Sequence, residues 1–258
     1  MTVTRLAVEF EMQTPIAAPQ RDNVWLLERW LAGAAALERF PRTMTMRYPG
    51  LDDWVPEEAL DIPLAREAAS GVFSTTQAQF PWGGEPAVHY RTKKPIIAVL
   101  PTTSFALGSG ILKQWHVKQP LWAVPAVRFI ADVTDLDRFF NLLTILRDNG
   151  LGGDRTRGYG QIYDIQVHAA GTADLDEVSC AWTVEGLPTR PIPWARVPPP
   201  RRPACEEALA AGSLRLQHQR LEAPAWAARN QILCVGPHPD WPTAFVTTAS
   251  RDCHVENA

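Results

Sequence analysis

A switch of hydrophobic period, from two to about 3.6, occurs twice in this chain in the same order, and few folds accommodate that pattern. Near the N-terminus Leu6, Val8, Phe10 and Met12 alternate with Arg5, Ala7, Glu9 and Glu11, the mark of a half-buried strand. Pro15 and Pro19 close that run. Asp22 or Asn23 can then cap a helix whose apolar residues Leu27, Trp30, Leu31, Ala34 and Leu37 recur at three and four until Pro41. The switch returns with Val127, Phe129, Ala131 and Val133 alternating. Thr134 stands as a cap with Asp137 three residues on, and a stripe of Leu136, Phe139, Phe140, Leu143 and Leu146 stops at Asn149 and Gly150.

Two further strands complete the pattern. Gly71 to Phe80 is rich in threonine and phenylalanine, and Gln161 to His168 carries Tyr163, Ile165 and Val167 on one side. The order strand, helix, strand, insertion, strand, helix, strand is the α+β, ferredoxin-like (RRM-like) plan, in which two helices cover one face of an antiparallel sheet. The other face is then free, which suits RNA. Residues 1–170 are expected to form this domain, with a long basic hairpin insertion at about 81–125. Residues 171–258 read as a proline-rich C-terminal extension packed on it. That extension holds a strand at Val178 to Val184, a turn at Glu185 and Gly186, a helix from Cys205 to Ala211 and a strand from Gln231 to Val235. Between them, Leu187 to Pro203 has seven prolines and four arginines (Arg190, Arg196, Arg201, Arg202) with no acid, the composition of an extended, polyproline-like segment.

The formal net charge is −3, unpromising for a nucleic-acid ligand, but the distribution is uneven. No acidic residue lies between Glu85 and Asp132. That window holds Arg91, Lys93, Lys94, Lys113, Lys118 and Arg128, and with them every lysine of the chain. Six cations without an anion make a local field that attracts phosphate. Within it Lys93, Lys94, Lys113 and Lys118 are candidate RNA contacts. Trp115 and His116, between the last two, can stack on or wedge against a base, with core packing the competing reading for Trp115.

Residues 150–160 read Gly150, Leu151, Gly152, Gly153, Asp154, Arg155, Thr156, Arg157, Gly158, Tyr159, Gly160, so five of the sixteen glycines fall in eleven positions. Glycine permits positive φ and close approach of the backbone, so that successive N–H groups can form an anion-binding nest. Arg155 and Arg157 add charge-assisted, bidentate bonds, and Tyr159 offers a ring for base stacking. No lysine followed by Ser or Thr closes the loop, and it runs from helix into strand, so it is neither a P-loop nor a dinucleotide fingerprint. A plain turn between helix and strand is the competing reading.

The segment G-L-G-G-D-R-T-R-G-Y-G-Q-I resembles the signature loop of the repeat-associated RAMP superfamily of CRISPR proteins. Three further stretches, G-S-G-I-L-K (Gly108 to Lys113), L-P-T-R-P-I-P (Leu187 to Pro193) and A-W-A-A-R-N-Q-I-L-C-V (Ala225 to Val235), resemble the subunit of type IV CRISPR effector complexes that caps the 5′ handle of the guide RNA. The resemblance covers most of the chain; residues 237–258 have no counterpart in it. It implies a non-catalytic crRNA-binding subunit of an antiviral-defence ribonucleoprotein. Its partners would be the crRNA 5′ handle, the backbone and large subunits of the complex, and target duplex DNA. Carried over by position, Gly152, Gly153, Arg155 and Arg157 would touch handle phosphates, and Lys113 would lie on the hairpin that clasps the RNA.

The rival reading is a metal-independent endoribonuclease that processes CRISPR precursor RNA. It would need a general base near a 2′-OH, for which His89, Tyr90, Lys113 and His116 are available, while His168 is more simply structural. Carboxylates at Asp52, Asp53, Glu57, Glu58, Glu206 and Glu207 read as solvated faces rather than a metal site. Cys180, Cys205, Cys234 and Cys253 lie far apart without a C-x-x-C pair, which argues against structural zinc, and no cofactor is implied. Without an apolar stretch of membrane-spanning length or a cleavable leader pattern, a soluble, cytoplasmic protein is expected.

Overall fold

In the computed structural model, residues 2–17, 25–39, 60–80, 87–92, 118–152, 155, 158–171, 174–219 and 232–237 are described. For 87–92, 118–120 and 219 the description is of the backbone alone. The described residues form a mixed α/β fold with three small antiparallel sheets and three α-helices. In chain order they are β1 (Thr4–Met12), β2 (Ile16–Ala17), α1 (Leu27–Arg39), β3 (Ala87–Thr92), β4 (Lys118–Ala123), β5 (Ala126–Val133), α2 (Leu136–Asn149), β6 (Ile162–Ala169), β7 (Ile192–Pro193), α3 (Arg202–Ala210), β8 (Leu214–Gln219) and β9 (Ile232–Pro237).

The principal sheet has the order β5-β1-β6, every pair antiparallel. Leu6, Val8 and Phe10 of β1 alternate inward as their period of two requires, and pack with Val127, Phe129 and Ala131 of β5. Against them lie Leu27, Leu31, Ala34 and Ala35 of α1 and Phe139, Leu142, Leu143 and Leu146 of α2. The stripe expected on α2 is therefore rotated: Leu142 faces the core, while Leu136 and Phe140 are 41% and 47% exposed. The cap also differs. The Thr134 N–H still bonds the Pro63 carbonyl, so the helix starts one residue later, with Asp135 accepting from the Arg138 N–H at 3.0 Å.

The strand expected at 71–80 appears as single bridges along the edge of β5, Thr75 to Ala131 and Gln79 to Arg128, with Leu64 bridging Val133. Its ladder is interrupted by a hydroxyl and by a turned-back amide. The Thr76 Oγ1 accepts from the Ile130 N–H at 3.1 Å where a carbonyl would serve in a regular strand, and the Thr75 N–H turns back to the Phe73 carbonyl.

A second sheet, β2-β4-β3, joins the ends of the segment expected as an insertion, with Ala87 opposite Ala123 and Thr92 opposite Lys118. Trp122 of β4 meets Trp25 edge-on at 5.4 Å, and Trp25 in turn meets Trp30 and Phe80, so this sheet is rooted in the aromatic core.

The third sheet, β7-β9-β8, and α3 surround a separate core of Val72, Trp182, Ile192, Val197, Cys205, Leu214 and Val235. Three expectations fail here. Val178 to Val184 is no strand, because Asp176 Oδ1 takes the Val178 N–H at 2.8 Å and turns the chain. The proline-rich run does not stay extended but coils into two 3-10 turns, Trp194–Arg196 and Pro199–Arg201. Pro203 then sits in the first turn of α3, where its missing N–H costs nothing, so the helix starts earlier than Cys205. Strand β8 has no counterpart among the expectations.

Two polar nodes fix the segment 174–190 to the rest. Arg190, 1% exposed, pairs with the equally buried Glu28 of α1 and donates to the Phe73 carbonyl at 2.9 Å and Thr75 Oγ1 at 2.6 Å. On the sheet face away from the helices, Arg5 donates twice to Asp132, at 2.6 and 3.0 Å, and once to the Asp176 carbonyl. Among the described residues no helix is long and apolar enough to cross a membrane.

Candidate nucleic-acid interface

The glycine-rich loop leaves α2 and enters β6 through a closed neck. The Gly150 N–H bonds the Leu146 carbonyl at 2.7 Å, the Leu151 N–H bonds the Gly160 carbonyl at 2.8 Å, and the Gly160 N–H bonds the Pro15 carbonyl at 2.8 Å. Leu151 is buried in the main core, pinning the neck from inside. Gly160, at φ 69°, passes so close to Leu151 that an added β-carbon would stand 1.8 Å from the Leu151 carbonyl oxygen. These neck glycines serve chain crossing, and the N–H groups of Gly150, Leu151, Gly158 and Gly160 already have protein acceptors. Of the nest expected over the whole loop, these four N–H groups are therefore already taken up by the protein.

Gly152 fixes where the chain leaves the neck. At φ 76°, its ideal β-carbon would be 2.5 Å from the Ala17 carbonyl oxygen, so only glycine allows the loop to rest on β2. Ala17 pairs with Leu121 of β4. Lys118 starts that strand, about 10 Å along it from Leu121 at the usual rise per residue. The fold thereby sets the glycine loop one strand away from the arm that carries Lys118.

Of the sequence-derived RNA contacts, Gly152, Arg155 and Tyr159 are described. Arg155 and Tyr159 are half-buried, and Arg155 Nη1 reaches the Gly150 carbonyl at 3.5 Å, folding over the neck. Gly153, Arg157, Lys93, Lys94, Lys113, Trp115 and His116 lie outside the described residues, as does the side chain of Lys118. Of the nuclease candidates, His89 and Tyr90 pair through β3 with Leu121 and Pro120, while His168, read as structural, approaches Gln166 Oε1 at 3.4 Å.

The sheet face expected to be free is partly covered. Leu175 and Cys180 pack on Ala7 and Ile130, and burial beside Asp132 pushes the Cys180 thiol up to about 12. The uncovered remainder is not basic. Arg128, one of the six cations of the anion-free window, is neutralised by Glu9, its Nε donating to Glu9 Oε2 at 2.8 Å. Glu11 faces Asp164 across the β1–β6 ladder, and Gln166 Nε2 donates to Glu11 Oε1 at 2.6 Å.

Where β1 and β6 approach the neck, their register slips. Glu11 pairs with Asp164 and Met12 with Ile162, leaving Tyr163 as the extra residue of a β-bulge. The bulge re-aims the ring. Tyr163 does not join Ile165 and Val167 inside but stands 73% exposed, on the rim of an open depression of about 460 Å³. Glu9, Glu11, Met12, Gln13, Pro125 and Ala126 line the rest. Nothing in the alternation of residues 161–168 signals the bulge. No protein-family model matches the chain, and a search among curated proteins finds no match either.

Proposed function

We propose that this chain is a non-catalytic RNA-binding subunit of a ribonucleoprotein, which grips the 5′ handle of a guide RNA with its glycine loop and the neighbouring basic arm. The observation that carries the reading is the seating of Gly152 on Ala17, which draws a loop bearing Arg155 and Arg157 to the sheet that also contains Lys118. A phosphate backbone following both would be neutralised along its path.

The strand order supports a ferredoxin-like frame. With 71–80 taken as the strand beside β5, the sequence across the sheet is β6, β1, β5, then 71–80, with both helices on one side. On that frame the loop between second helix and last strand is where the RAMP superfamily carries its signature. The resemblance extends the proposal to the type IV CRISPR effector complex, with its backbone and large subunits as partners and target duplex DNA alongside.

The test is a titration of the purified chain, or of its complex, against guide RNA with and without the 5′ handle, run on native and denaturing gels. Handle-dependent retention of intact RNA is expected. Arg155→Glu combined with Arg157→Glu should reduce handle affinity at least about 100-fold, since two phosphate contacts become repulsive. Shortened RNA in the absence of metal would replace this reading with the endoribonuclease. Unchanged affinity in a folded double variant would remove the loop from the site.

A further inference from the structure

The depression beside Tyr163 has no task in phosphate binding, since its charged groups are carboxylates. Yet it lies at the root of both elements assigned to the RNA. The Gln13 N–H bonds the carbonyl of Gln161, at the loop exit, and the Met12 N–H bonds the carbonyl of Pro125, between β4 and β5. Here a bulge turns a tyrosine ring outward instead of completing the core, and bulges recur where a side chain must be re-aimed. An exposed ring on a sheet face is the element on which single-stranded RNA bases stack.

The polar lining states which base. Glu9 is held by Arg128, so the carboxylate left to the depression is Glu11, whose Oε1 accepts from Gln166 and whose Oε2 meets no donor among the described residues. A carboxylate only accepts. Guanine alone among the four bases presents two adjacent donors, the ring N1–H and the exocyclic amino group, on its Watson–Crick edge. Adenine and cytosine offer one donor beside an acceptor, and uracil one donor between two carbonyls, so each sets an oxygen or a ring nitrogen lone pair against Glu11. A ring donor set facing Glu11 would also relieve the like-charge opposition of Glu11 and Asp164.

We infer that this depression is a base-reading subsite, in which a guanine of the bound strand stacks on Tyr163 and donates to Glu11. The inference rests on the RNA-binding reading above and adds sequence preference to it. The bases of a strand held by its phosphates at the loop swing toward this end of the sheet, and the carboxylates that repel phosphate exclude the backbone from the depression while accepting the base edge.

The experiment is a fluorescence-anisotropy titration of the full chain with four labelled RNA dodecamers: oligouridine, and oligouridine with one central guanine, adenine or cytosine. The guanine oligomer should bind about tenfold more tightly than the adenine one, the discrimination a good bidentate contact gives. Glu11→Gln should bring that ratio close to one. Tyr163→Ala should weaken the guanine oligomer at least about fivefold while Tyr163→Phe retains it, with thermal melts showing all three variants folded. Arg155→Glu with Arg157→Glu should weaken all four oligomers and leave the ratio. Equal affinities for the four RNAs, or a guanine preference that survives Glu11→Gln, overturn the subsite while leaving RNA binding intact. Failure to bind any of the four by a chain that retains handle-bearing guide RNA overturns the subsite alone, and failure to bind either kind of RNA overturns the RNA-binding reading and the subsite with it.

Discussion

Gly160 and Leu151 cross with their backbones in contact, the Gly160 carbonyl accepting from the Leu151 N–H at 2.8 Å and the Gly160 α-carbon facing the Leu151 carbonyl oxygen. There is no space for a side chain at this point. Gly160→Ala therefore meets a backbone clash and an unfavourable positive φ together, and should cost about 2–5 kcal/mol. Gly33→Ala, inside α1 with nothing within 4 Å of its ideal β-carbon, should instead stabilise by up to about 1 kcal/mol. Thermal denaturation of the two variants would check both signs.

Breaking the Arg190–Glu28 pair leaves an uncompensated charge in the core. Arg190→Met should destabilise by about 3–5 kcal/mol, and Glu28→Leu added to it should restore much of the loss. Urea unfolding of the single and double variants measures the coupling. Recovery in the double variant distinguishes charge from shape, because both changes keep apolar bulk.

Asp176 ties Arg201 to the turn at Val178. Burial pushes its carboxyl up, but hydrogen bonds from Arg201 and the Val178 N–H, with the Arg201 charge, outweigh burial and hold it below the ordinary carboxylate value. A carboxyl lowered in the folded state adds stability that is full above its unfolded value, near 4, and is lost as pH falls through the lowered one. Melting temperatures of the wild type should thus fall more steeply than those of Asp176→Asn between about pH 4 and pH 2.

Cys180 should resist alkylation. Its thiol is buried and pushed up to about 12, with Ser74 and Asp132 around it, so at pH 8 it carries almost no thiolate. Mass spectrometry after iodoacetamide treatment should find Cys180 unmodified in the native chain and modified once urea has unfolded it.

Much of the sheet and its helices was legible because burial follows period. The alternation of Leu6, Val8 and Phe10 and the spacing of Leu27, Leu31 and Ala34 located β1 and α1 to within a few residues. Where side chains compete with the backbone for hydrogen bonds, the pattern misled. The Thr76 hydroxyl takes a backbone N–H in a segment that reads as a strand, and Asp176 turns another. The proline run showed its composition but not its 3-10 turns, because proline fixes φ and leaves ψ open. At the candidate site, the clustering of glycines marked the loop, yet which glycines serve the neck depends on Pro15 and Ala17, more than a hundred residues earlier. The outward turn of Tyr163 comes from a one-residue slip between strands, a property of the pairing that neither strand carries alone.

Glu28 and Arg190 stand 162 residues apart in the chain. During synthesis the first helix leaves the ribosome long before its buried partner exists, and until Arg190 follows, docking that helix would seal a lone carboxylate inside. The N-terminal strand and helix must therefore wait, loosely held, for the segment that follows the principal sheet. A chain cut after residue 170 should then fail to mature into a smaller stable unit, so that the two regions of the sequence are made in succession but fold together.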